Sequence, residues 1–77
     1  MALDPEPVVG NLVRSERRAA EMTQRELAER VGVSRQTIVS IETSDYAPSV
    51  FLALRIAAVL GTTVERLFDP QSRPEPS

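Results

Sequence analysis

The 77-residue sequence contains no cysteine, histidine, lysine or tryptophan. Without cysteine there is no disulfide framework and no thiolate metal site. Without histidine, the commonest general base and the commonest zinc ligand are both missing. The absence of lysine excludes Schiff-base chemistry and the phosphate-loop lysine. No apolar run approaches the roughly 18 residues of a membrane-spanning helix. The chain opens with Asp4, Pro5, Glu6 and Pro7, where a signal peptide has bases and then an apolar stretch. These absences point away from an enzyme, a metal or a cofactor and toward a cytoplasmic binding module. The lack of cysteine agrees with a reducing compartment.

Hydrophobic residues make up 42% of the chain, enough for a packed core, and the length allows a single domain. All nine positive charges are arginine, set against 11 acids for a net charge of −2. Exclusive use of arginine in an Ala- and Val-rich chain fits a bacterium with a GC-rich genome. The overall sign hides a local one, because residues 10–40 hold six Arg and four Glu. A weakly basic N-terminal half permits nucleic-acid binding without announcing it.

Residues 1–7 read as a flexible arm and residues 69–77, with three of the six prolines, as a disordered tail. Between them, 8–68 reads as one all-α domain of five short helices. The first is predicted from about Val8 to Ala20, with Val9, Leu12, Val13 and Ala20 as a thin apolar stripe on which Glu16 is a misfit. Thr23 and Glu26 form a capping-box pattern that starts the second helix, and Gly32 stops it. Ser34 is placed to cap a third helix reaching about Thr43. Ser49 caps a fourth, Val50 to Leu60, closed by Gly61; its nearly continuous apolar sequence predicts a central buried helix. Thr62 or Thr63 caps a fifth, Val64 to Phe68, whose apolar residues are expected in the core.

Residues 24–43, QRELAERVGVSRQTIVSIET, place two short helices around a glycine turn. This is the helix-turn-helix arrangement. A steep helix crossing needs a small side chain, which Ala28 supplies. The turn needs a positive φ, which Gly32 supplies, and Val33 plugs the turn into the core. Leu27, Val31, Ile38 and Ile41 complete the inward face of both helices. Seven positions agree in type and spacing, and both helices carry caps.

Over residues 10–68 the sequence resembles the helix-turn-helix family of phage repressors, Cro-like proteins and xenobiotic-response-element regulators. It is most similar to small bacterial members that consist of little more than this domain. The specific pieces are MTQRELAERVGVSRQTI, Ile41-Glu42, Tyr46–Ser49 and LALRIAAVLG followed by VERLF. The resemblance implies a lambda-repressor-like fold that binds double-stranded DNA as a homodimer on a roughly palindromic operator. The third helix then lies in the major groove, and the protein regulates transcription, as a repressor. Base contacts are implied for Arg35, Gln36, Val39 and Ser40: Arg suits the paired acceptors of guanine, Gln the acceptor–donor pair of adenine, and Val a thymine methyl. Phosphate contacts are implied for Gln24, Ser34, Thr37, Thr43, Ser49 and Phe51, with packing on its loop an equal alternative for Phe51. Arg17 and Glu42 occupy the places of a structural ion pair that ties the recognition helix to the scaffold. Tyr46 is expected to pack beside Pro48.

Three positions depart from the family pattern. Glu21 stands where relatives have Gly or Asn, which calls for a different local backbone, and Glu16 stands where many have Leu. Asp45 replaces a base that faces phosphate; alternatively it turns the loop through a local hydrogen bond. The acidic balance and Asp45 also keep open a second function, a protein-interaction module such as an antitoxin or an antagonist of another regulator.

Overall fold

The computed structural model describes residues 11–68. Five helices follow one another: α1 Val13–Ala19, α2 Gln24–Val31, α3 Arg35–Glu42, α4 Val50–Leu60 and α5 Val64–Phe68, with no strand among the described residues. The expected arm, the expected tail and the stretch from Val8 to Gly10 lie outside them.

Local side-chain chemistry starts most of these helices. The Thr23 hydroxyl accepts from Glu26 N at 3.0 Å while the Glu26 carboxylate accepts from Thr23 N at 2.8 Å, completing the capping box. Ser34 accepts from Thr37 N, and Ser49 from Leu52 N, each at 3.1 Å. Of the two candidate caps for α5, Thr63 is the one used, accepting from Arg66 N. α1 starts later than its apolar spacing predicts. Leu12 holds the N-cap position, and the Asn11 carbonyl oxygen Oδ1 accepts from Val13 N. A side chain that bonds the backbone locally competes with helix, so the regular turns begin after it.

The ends of α1 to α4 share one device. An N–H one residue past the cap in α2 and α4, and two past it in α1 and α3, returns to a carbonyl five residues back: Met22 to Arg17, Val33 to Ala28, Asp45 to Ser40 and Thr62 to Ala57. The residue before each donor is left-handed, with φ of 58° at Glu21, 82° at Gly32, 67° at Ser44 and 72° at Gly61. Gly32 and Gly61 adopt this without strain. Glu21 and Ser44 do so at about 1 kcal/mol or more each. Glu21 therefore keeps the backbone that suits glycine, contrary to the expectation of a different one.

The core joins Val13 of α1, Leu27, Ala28 and Val31 of α2, Ile38 and Ile41 of α3, Leu52, Ile56 and Ala57 of α4 and Leu67 of α5. Val33, Val64 and Phe68 pack against it half-buried. Three expectations change. On α1 the inward position one turn past Val13 belongs to Arg17, while Ala20 is exposed, because the helix has ended before its apolar stripe is complete. Glu16 is not a misfit: its carboxylate meets Arg66 at 3.2 Å and links α1 to α5. On α4 only Leu52, Ala53, Ile56 and Ala57 are buried. Val50 is 71% exposed, Phe51 77% and Leu54 53%, so the helix lies on the surface with one apolar face outward. Four short neighbours cannot enclose an 11-residue helix on all sides. No described helix is long and apolar enough to cross a membrane.

Candidate nucleic-acid interface

α2 and α3 hold the site. Ala28 is almost fully buried in the core, and its carbonyl accepts from both Gly32 and Val33. The turn is thereby tied back onto α2, and α3 leaves it with Ile38 and Ile41 inward. Its other side carries Arg35 and Gln36 exposed, with Val39 and Ser40 half-buried. Gln36 Nε2 donates to the Ser40 hydroxyl at 3.4 Å, one turn on. The Ser34 and Thr37 hydroxyls lie 2.9 Å apart at the start of the same helix. The four residues expected at bases thus share one outward strip, flanked by two of those expected at phosphates.

Behind the strip lies a buried polar network. Arg17 Nε donates to Glu42 Oε2 at 2.7 Å and Nη2 to Oε1 at 3.3 Å, with side chains only 10% and 3% exposed. The remaining guanidinium nitrogen, Nη1, donates to the Met22 carbonyl at 2.7 Å. Gln24 Nε2 donates to Glu42 Oε1 at 3.2 Å, and Gln24 Oε1 accepts from Arg35 Nη2 at 3.1 Å. The order of these contacts fixes the amide. A carboxylate can only accept, so Gln24 turns its NH₂ to Glu42 and its oxygen to Arg35. A chain of charge-assisted hydrogen bonds therefore runs from α1 through the last residue of α3 and the first of α2 to the exposed arginine. Glu42 is neutralised inside the protein rather than left at the outer surface.

The other expected contact residues lie farther along. The Thr43 hydroxyl, with a single proton to donate, lies within reach of the Ser40 carbonyl at 3.2 Å and of Asp45 Oδ2 at 3.0 Å, so Asp45 takes part in its own turn. Ser49 caps α4, and Phe51 projects from the first turn. Tyr46 does not pack away beside Pro48; it is 48% exposed and shares with Pro48 the wall of a groove. Among the described residues no group of three or more acidic, histidine or cysteine side chains is arranged to hold a metal ion.

Sequence reasoning missed two braces. Asn11 Nδ2 donates to the Ile41 carbonyl at 2.8 Å, tying the end of α3 to the start of α1. Arg55 Nη1 donates to the Val31 carbonyl at 3.0 Å, placing a cation on the C-terminal end of α2. Neither leaves a local pattern, because the partners are 30 and 24 residues apart.

Two helices about a left-handed glycine turn, the second with a polar strip outward and an ion pair behind, define a helix-turn-helix protein. The helix-turn-helix family model matches residues 13–67. The chain belongs to that family of transcriptional regulators, of the Cro and phage-repressor type. An uncharacterised helix-turn-helix-type transcriptional regulator of Methanothermobacter thermautotrophicus is 56% identical over 50 residues, covering 65% of this chain and 72% of the relative. One of Methanocaldococcus jannaschii is 43% identical over 58 residues, covering 75% and 88%. The crystal structure of the clp gene regulator ClgR from Corynebacterium glutamicum superposes with a TM-score of 0.71 at 30% identity, over 80% of this chain and 68% of that one.

Proposed function

We propose that the protein is a sequence-specific regulator that binds double-stranded DNA as a homodimer, acting in the cytoplasm as a repressor by occupying its operator. α3 enters the major groove, where Arg35 and Gln36 read base edges and Val39 and Ser40 lie against neighbouring bases. Gln24, Ser34, Thr37, Thr43, Ser49 and Phe51 line the sugar–phosphate backbone. One observation carries this reading: an exposed arginine at the start of α3 is held through Gln24 by a buried ion pair. Surface arginines are usually loose and lose rotamer entropy on binding; a braced guanidinium presents its donors with that loss already reduced.

Dimerisation follows from the size of the element. One eight-residue helix spans about 12 Å and reads a few base pairs, too little for the affinities of about 10⁻⁸ to 10⁻¹¹ M typical of specific sites. Selection of binding sites from random DNA, followed by footprinting, tests the proposal. A two-fold symmetric site with half-sites about 34 Å apart is expected. Enrichment of no sequence contradicts base reading, and protection of one half-site at full affinity contradicts the dimer. The second reading, a protein-interaction module such as an antitoxin, is favoured by the exposed apolar side chains of α4.

A further inference from the structure

An open groove of about 430 Å³ lies between the α3–α4 loop and α5, lined by Asn11, Tyr46, Pro48, Ala53, Val64 and Phe68. Asn11 is the first described residue and Phe68 the last, so the chain enters and leaves the described residues on the groove wall. The entry point is pinned. Asn11 Nδ2 donates to the Ile41 carbonyl, Asn11 Oδ1 accepts from Val13 N, and Leu12 N donates to the Leu67 carbonyl at 2.9 Å.

The two flanking segments differ in what they can offer the groove. Residues 69–77 hold Asp69, Arg73 and Glu75 and, proline aside, no aliphatic side chain. The residues just before Asn11 include Val8 and Val9. α1 begins at Val13 behind an N-cap at Leu12, so its helical register does not decide where these two valines go. They stand three and two residues from Asn11, a reach of at most about 7–11 Å. The described walls of the groove carry no charged side chain, so an aliphatic occupant leaves no ion desolvated there. A tether this short holds the occupant at an effective concentration of about millimolar or more.

We propose that Val8 and Val9 seat in this groove of their own chain, as a strap joining the residues before α1 to the α3–α4 loop and α5. Tyr46 gives the strap its consequence. Besides walling the groove, Tyr46 lines a shallow hollow with Ser34, Gln36, Thr37 and Ser40 on the outer strip of α3. The seated valines thus support Tyr46 at the edge of that strip and close the groove to other apolar partners. The inference stands whether or not the strip meets DNA.

The chain has one tyrosine and no tryptophan, so its intrinsic fluorescence reports on Tyr46 alone. Two measurements on the full chain test the proposal: nuclear Overhauser contacts in the wild type, and acrylamide quenching of Tyr46 in the wild type and in Val8→Ser/Val9→Ser. Contacts are expected from Val8 or Val9 methyl protons to the rings of Tyr46 and Phe68. The double variant should keep its helix content, show a higher Tyr46 quenching constant and melt lower by about 4–8 °C. Absence of the contacts in the wild type overturns the proposal. So does a variant that melts lower while Tyr46 is quenched as in the wild type, because the valines then pack elsewhere. Contacts that arise only between differently labelled copies in a mixed sample also overturn it and give the groove to a second copy. If the double variant loses helix content, Val8→Ser alone takes its place, and the wild-type contacts decide without any variant.

Discussion

The outer faces of α3 and α4 are opposites. α3 presents Arg35, Gln36 and Ser40, polar groups held in place from behind by Glu42, Arg17 and Gln24. α4 presents Val50, Phe51 and Leu54, apolar groups with no such bracing. The faces therefore prepare for different encounters. A hydrogen-bonding face is specific only when its donors are fixed, since a mismatch then leaves them unpaired. An apolar face needs only matching shape and the removal of water, and tolerates rotamer freedom. The buried ion pair stands behind the face that needs direction.

The largest expected effect breaks the comparison at its root. Glu42→Ala leaves the Arg17 guanidinium buried without its carboxylate, which should lower stability by about 3–5 kcal/mol in chemical denaturation. Arg35 would also lose its support, so discrimination among DNA sites should fall. A loss under about 1 kcal/mol would mean that water screens the pair, and then α3 is no better braced than α4.

A change away from both faces is expected to act in the opposite direction. Glu21 is left-handed in a turn that suits glycine, and the same turn presents the Met22 carbonyl to Arg17. Glu21→Gly relieves backbone strain but frees the unfolded chain, leaving a net gain of roughly 0.5–1 kcal/mol, or a rise in Tm of about 2–8 °C for a domain this size. DNA affinity should stay constant. A lower Tm would show that Glu21 makes a contact worth more than its strain.

The smallest expected change lies on the border between the faces. Asp45 accepts from Thr43 in an exposed loop, so Asp45→Lys should lower stability by less than about 1 kcal/mol. If the loop runs beside phosphates, log affinity against log salt should steepen by about 0.9, equally on specific and random DNA. An unchanged slope would place the loop away from DNA and sharpen the division between the two faces.

What could be read in the sequence was what local chemistry decides. Thr23 with Glu26, Ser34, Ser49, Gly32 and Gly61 mark helix ends through groups at most a few residues apart, and each sits where those patterns predict. Ion pairing between Arg17 and Glu42 was anticipated from the family pattern, not from spacing. Asn11 with Ile41, Arg55 with Val31 and Glu16 with Arg66 were not legible, because tertiary packing alone brings such distant residues together. α4 departs from its expected burial for a related reason. Composition shows that a helix is apolar, but the number and length of its neighbours decide how much of it they can cover.

The central claim is that α3 reads bases through a braced Arg35. Its most direct test compares wild type and Arg35→Ala on the selected operator and on random DNA at one salt concentration. The account predicts a loss of about 1–3 kcal/mol on the operator and a much smaller loss on random DNA. Equal losses on both would make Arg35 a phosphate contact and contradict the claim.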